Sequence, residues 1–133
     1  MKIASLNIAK GLHSKAAAIE ETLSKKNLDI LCLLEADIPN NISAPCFNGY
    51  QPPIFHTNNS NYSRIVCYVK RDLEFTNLEK DSVPNHSEAP PFIAIDLRNI
   101  RVSFIYNEYT KNAYSSNSGQ KLSPERRLER LKT

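Results

Sequence analysis

The sequence predicts an α/β fold, and three observations carry that expectation. Residues 2–7 and 30–34 are apolar runs of strand length, and each gives way to a polar residue, Asn7 in one case and Glu35 in the other. One stretch between them has helical spacing. Residues 92–97 and 101–106 are two further apolar runs separated only by Arg98, Asn99 and Ile100, the pattern of an antiparallel hairpin.

The elements follow in order. Ser14 is placed to cap a helix running to about Lys26, with Ala16, Ile19 and Leu23 on one face. Lys25 and Lys26 put positive charge in the last turn, and Asn27 suits a left-handed stop. Residues 30–34 are apolar at consecutive positions, which predicts a strand buried on both faces. A crossover through one helix makes this strand parallel to the first, with a right-handed connection.

Residues 39–63 read as loop, with four prolines and many Asn and Ser, anchored by Phe47, Tyr50, Ile54 and Phe55. Residues 64–70 read as a strand, and 73–78 as a short partner across a turn at Arg71 and Asp72. After a polar stretch comes the hairpin. Residues 111–120 are polar loop, and Ser123, Pro124 and Glu125 open a last helix carrying Leu128 and Leu131.

With 133 residues the chain is one domain or part of one. Its 41% hydrophobic and 23% charged residues exclude a disordered segment. Three widely spaced cysteines argue against a disulfide framework, and Cys32 and Cys67, inside apolar runs, read as small buried hydrophobes. No secretion-signal pattern opens the chain and no apolar run approaches the ~18 residues that cross a bilayer. The expected location is intracellular, with no membrane partner. The net charge of +3 is unevenly spread. From Arg98 onward eight Lys and Arg face three Asp and Glu, against nine and eleven before it. A polyanionic partner and a solvated helix face at Arg126, Arg127 and Arg130 account for that bias equally well.

A strand–helix–strand unit that sets an Asn and a Glu at the carboxyl ends of neighbouring strands is how an open α/β sheet builds a ligand site. Five segments in order extend the pattern: Ile3-Ala-Ser-Leu-Asn7-Ile, the helix, Leu28-Asp-Ile-Leu-Cys-Leu-Leu-Glu35-Ala, Ser63-Arg-Ile-Val-Cys-Tyr-Val-Lys70, and Val102-Ser-Phe-Ile-Tyr106-Asn-Glu108. Together they resemble the first half of the endonuclease/exonuclease/phosphatase superfamily, nearest to the apurinic-endonuclease-like domains of non-LTR retrotransposons. The tail, residues 122–131, resembles the helix that follows in such domains.

The resemblance implies the amino-terminal portion of a four-layered, DNase I-like α/β sandwich, with mixed sheets flanked by helices. Residues 1–133 would be a partial domain, truncated before the carboxyl-terminal catalytic motifs. It implies Mg2+-dependent phosphodiester hydrolysis, with Mn2+ as a substitute ion, acting on DNA, and a nuclear location for a retrotransposon endonuclease. Glu35 would be the metal ligand, since Mg2+ takes one or two carboxylates and keeps several waters. Asn7 would hydrogen-bond around the metal and the catalytic centre, and Tyr106, preferred over Tyr109 and Tyr114, would donate to the phosphate. Arg64 would contact phosphate, although a surface role fits it equally well. Glu108 follows Tyr106 as in the relatives, but Asn107 stands where they carry Arg.

The family's Gly-Asp-x-Asn segment and late Asp-His pair do not occur in this sequence. His13, His56 and His86 follow Leu, Phe and Asn, and each is expected at the surface. No general base is identifiable, so the fragment alone is expected to be inactive. The rival reading is a non-catalytic remnant or interaction module that oligomerises or aggregates through exposed sheet edges. Within the superfamily, a phosphoinositide phosphatase and an RNA exonuclease stay open. Nucleotides downstream of Thr133 that encode the missing motifs in frame would favour the enzyme.

Overall fold

The computed structural model describes residues 1–56, 62–78 and 91–106. Their elements, in chain order, are β1 (Ile3–Asn7), α1 (Leu12–Lys26), β2 (Ile30–Pro39), β3 (Ile54–Phe55), β4 (Tyr62–Val69), β5 (Thr76–Asn77), β6 (Phe92–Asp96) and β7 (Arg101–Ile105). They form two sheets, one ordered β1-β2-β4-β3 and the other β5-β6-β7. β1 and β2 run parallel, as a helical crossover demands. The remaining pairs are antiparallel.

Because β2 and β4 alternate apolar residues to both sides, the first sheet has two cores. On one face Leu31, Leu33, Val66 and Tyr68 pack against Leu12, Ile19 and Leu23 of α1. On the other, Ile30, Cys32, Ile65, Cys67 and Val69 meet Ile93, Ile95 and Phe104 of the second sheet. The order of layers is helix, sheet, sheet. That is a mixed α/β fold; the fourth layer expected from the sequence is not among the described residues. Nor is the expected helix opening at Ser123.

The loop after β2 is held to the helix-side core by the anchors its sequence offered. The Phe47 and Tyr68 rings meet with centroids 4.6 Å apart, and the Tyr68 hydroxyl donates to the Pro45 carbonyl at 2.8 Å. The Tyr50 hydroxyl donates to the Leu28 carbonyl. Burial pushes the pKa of the Cys32 and Cys67 thiols up, that of Cys67 to about 12, so both stay neutral hydrophobes.

Five expectations need correcting. α1 starts at Leu12, with Gly11 in a left-handed conformation (φ 73°) as its cap, and Ser14 lies inside the first turn, donating to the Gly11 carbonyl at 2.8 Å. Glycine reaches that φ without steric cost, which a serine three residues later does not supply. β2 continues past Leu34 to Pro39, through a bulge that apolar periodicity cannot register. The stretch read as loop from Pro39 to Ser63 contains β3 and the start of β4. The short strand after Arg71 pairs with β6 of the second sheet, not back onto β4. His56, finally, is buried rather than at the surface, with its ring 5.7 Å from that of Phe92.

Candidate active site

Asn7 ends β1 opposite Leu34 of β2, and Leu34 in turn stands opposite Ile65 of β4. Beyond this row the chain leaves regular geometry. After Asn7, Ala9, Lys10 and Gly11 all have positive φ (50°, 69° and 73°). Such a run is costly for L-residues, and here local bonds hold it. The Ala9 N–H donates to the Asn7 side-chain oxygen at 3.0 Å. The Ile8 and Lys10 N–H groups donate to the Leu34 and Glu35 carbonyls at 3.0 and 2.8 Å. The Lys15 ammonium reaches back from α1 to the Lys10 carbonyl at 2.9 Å and also to that of Ile8. Asn7 is thereby fixed against the end of β2.

The second irregularity lies in β2 itself. Leu34 pairs with Ile65 and Ile38 with Ser63, so three residues, Glu35, Ala36 and Asp37, stand opposite the single residue Arg64. Glu35 and Asp37 both have positive φ, 54° and 48°. Buried Ala36 anchors the bulge between them in the helix-side core. Strict alternation would turn Glu35 toward α1, since Leu33 packs there and Leu34 packs toward the other sheet. The bulge instead aims Glu35 at Tyr106, at the end of the second sheet. Re-aiming a side chain is a recurrent use of bulges, and backbone held in such regions collects at functional sites.

Five side chains converge there. The Tyr106 hydroxyl donates to Glu35 Oε1. Arg64 Nη2 donates to the Tyr106 hydroxyl at 3.2 Å and lies 4.0 Å from Glu35 Oε1. The guanidinium carbon stands 5.0 Å from the centre of the Tyr106 ring, a cation–π distance. Arg64 Nε forms an ion pair with Asp37 Oδ1 at 3.3 Å. Because the Asn7 oxygen faces the Ala9 N–H, its amide group is the part that hydrogen-bonds to the Glu35 carboxylate.

The electrostatics follow from these partners. The Tyr106 hydroxyl first, then the Asn7 amide, hold the Glu35 carboxyl below the usual range, with smaller help from the charges of Arg64 and Lys10. Glu35 is therefore ionised at neutral pH, with its side chain 30% exposed. Burial, and donation to Glu35, raise Tyr106 to about 12, so its hydroxyl keeps its proton and remains a donor.

The fold thus brings together Asn7, Glu35, Tyr106 and Arg64. Tyr109, Tyr114 and Glu108 lie outside the described residues, as does His86. His13 is exposed, with Nε2 2.8 Å from the Ser43 carbonyl. Asp37 joins the group although the sequence reading did not single it out. The available signal was an acid two positions after Glu35, where a continuing strand would be expected to carry apolar residues. No group of three or more His, Cys, Asp or Glu able to hold a metal occurs among the described residues. No described helix is long and apolar enough to cross a membrane.

No protein-family model matches the chain, and no curated protein does. Among solved structures it is similar to the endonuclease domain of TRAS1, a telomere-specific non-LTR retrotransposon. The TM-score is 0.50 at 15% identity, over 98% of this chain and 51% of that one. This chain accordingly spans about half the length of that structure. At such identity the likeness is one of fold, and it agrees with the mixed α/β class the sequence predicted, without extending to the four-layered sandwich.

Proposed function

We propose that the chain is the amino-terminal portion of a metal-dependent phosphodiester hydrolase, an endonuclease domain acting on DNA, and that Glu35 holds its divalent ion. One observation carries this reading: an ionised carboxylate at a strand end, aimed by a bulge and held by neutral donors, with a guanidinium beside it. The donor set suits Mg2+ better than a transition metal. It offers hard oxygen, with neither a histidine nor a thiolate in the cluster, and Mg2+ needs only one or two carboxylates because it keeps its waters. A bound ion would polarise a phosphoryl oxygen and neutralise developing charge.

The chain's own residues have distinct tasks in this reading. Glu35 supplies the ligand oxygen. Asn7 fixes the carboxylate's orientation from the locked end of β1 and borders the ion beside Glu35. The Tyr106 hydroxyl, protonated through the physiological range, donates to Glu35 or to a phosphate oxygen brought beside it. Arg64 places positive charge next to that position, where an Arg can pair with phosphate through two parallel hydrogen bonds. No group in the cluster is poised to take a proton from water, so the catalytic set is incomplete among the described residues. We read the chain as a partial domain for that reason.

Fluorescence anisotropy with a labelled DNA duplex tests the reading. Binding should strengthen on adding Mg2+ or Ca2+, and Glu35→Gln should remove that strengthening. Equal binding with and without the ion would overturn it. Supercoiled plasmid should stay intact over long incubation with Mg2+, and nicking abolished by Glu35→Ala would show the catalytic set to be complete after all. RNA or phosphoinositide binding in preference to DNA would redirect the substrate assignment.

The interaction-module reading has its own supporting observation. Ile3 and Leu6 on β1 and Ile105 on β7 are exposed apolar side chains, on strands that end their sheets among the described residues. Concentration-dependent oligomers, dispersed by Leu6→Lys, would favour it.

A further inference from the structure

Arg64 has two carboxylates to choose between. Its Nε lies 3.3 Å from Asp37 Oδ1, while its Nη2 lies 4.0 Å from Glu35 Oε1 and spends its hydrogen bond on the Tyr106 hydroxyl. The Arg64 and Asp37 side chains are only 19% and 10% exposed, against 30% for Glu35. Pairs so shielded are screened less by salt than exposed ones. A guanidinium freed from Asp37 would close on Glu35, because arginine and carboxylate settle into a forked pair at ~2.7–2.9 Å. Glu35 would then be neutralised by its neighbour, with both oxygens engaged. With Asp37 in place the charges divide differently: Asp37 balances Arg64, and the negative charge of Glu35 is left uncompensated by that pair.

We propose that Asp37 is a positioning residue, which by pairing with Arg64 keeps the guanidinium off Glu35 and leaves that carboxylate available to a divalent cation. The backbone is built for this. Asp37 and Glu35 take positive φ within one bulge, so two carboxylates separated by a single residue lie beside different nitrogens of the same guanidinium, Asp37 at Nε and Glu35 near Nη2. Aspartate is among the few non-glycine residues that adopt this conformation readily. The inference rests on Glu35 being the ion's ligand, but the pairing of Asp37 with Arg64 can be read without any ion.

Asparagine also tolerates positive φ, so Asp37→Asn removes the charge while keeping the bulge. Mn2+ binding to the whole chain, followed by electron paramagnetic resonance, should weaken about tenfold in this variant, the scale seen when a ligand's supporting partner is removed. In an Arg64→Gln background the same change should alter affinity less than about twofold, since no guanidinium remains to occupy Glu35. The same loss in both backgrounds would make Asp37 a ligand or a general source of charge, and would overturn the proposal. So would the absence of loss in the single variant. Should the wild-type chain bind no Mn2+, the metal reading fails, and the clamp is decided by the heteronuclear NOE of the Arg64 Nε–H. A rigid signal that becomes mobile in Asp37→Asn upholds the clamp, and an unchanged signal rejects it.

Discussion

The two halves of β2 differ as much as two parts of one strand can. Residues 30–34 are regular, paired on both sides and buried between two cores. Residues 35–37 stand three against one, twice adopt positive φ, and carry two charges. The first half makes a rigid base and the second half uses it. A backbone costing ~1–2 kcal/mol per left-handed residue persists only where the surrounding structure over-determines it. Here the over-determination comes from Ile30 to Leu34 below, Ala36 in the core, and the Ile8 and Lys10 hydrogen bonds from the turn after β1.

Substitutions in the two halves should have opposite signatures. Leu31→Ala, fully inside the helix-side core, should cost about 2–5 kcal/mol of unfolding free energy and leave ion affinity unchanged below the melting transition. Glu35→Gln should do the reverse, removing divalent-ion binding with little change in stability. Urea denaturation and ion titration on the same preparations separate the two effects.

A smaller effect is expected from the hydroxyl that joins the sheets. The Glu35 carboxyl lies below its ordinary value of 4.5, so its contribution to stability is present above that pH and is lost as pH falls through the lower folded-state value. Tyr106, raised to about 12, favours its neutral form in the folded state, so its contribution is full below the ordinary value of 10 and fades as pH rises toward 12. Tyr106→Phe removes the shared hydrogen bond and should lower the melting temperature most between these limits, converging on the wild type toward both extremes of pH, so that its dependence on pH is flatter. A parallel shift of the whole curve would mean that the ring's packing, not its hydroxyl, is what counts. The smallest effect belongs to the strained turn beside Asn7. Ala9→Gly, at an exposed position with φ 50°, should stabilise by roughly 0.5 kcal/mol, the steric relief of glycine less its added unfolded-state freedom.

The same contrast explains what could be read from the sequence. The first half of β2, the helix with its Asn27 stop, β4 and the final hairpin are written in runs and spacings that local physics converts directly into elements. Asn7, Glu35 and Tyr106 were visible because each follows such a run, and Arg64 because it opens one. The bulge was not legible, because a register shift depends on what the partner strand does, and Glu35, Ala36 and Asp37 look alone like the end of a strand. Asp37 was missed for the same reason. The burial of His56 was hidden likewise, since the second sheet, arriving from far along the chain, sets Phe92 beside it.

The central claim is that Glu35, aimed by the bulge, is the ligand for a divalent cation. Titration of the whole chain with Mn2+, monitored by electron paramagnetic resonance, tests it most directly. The account predicts a saturable site competed by Mg2+ and lost in Glu35→Gln, with the circular dichroism spectrum unchanged. Binding that survives Glu35→Gln, or a wild-type chain that binds no ion, would contradict it.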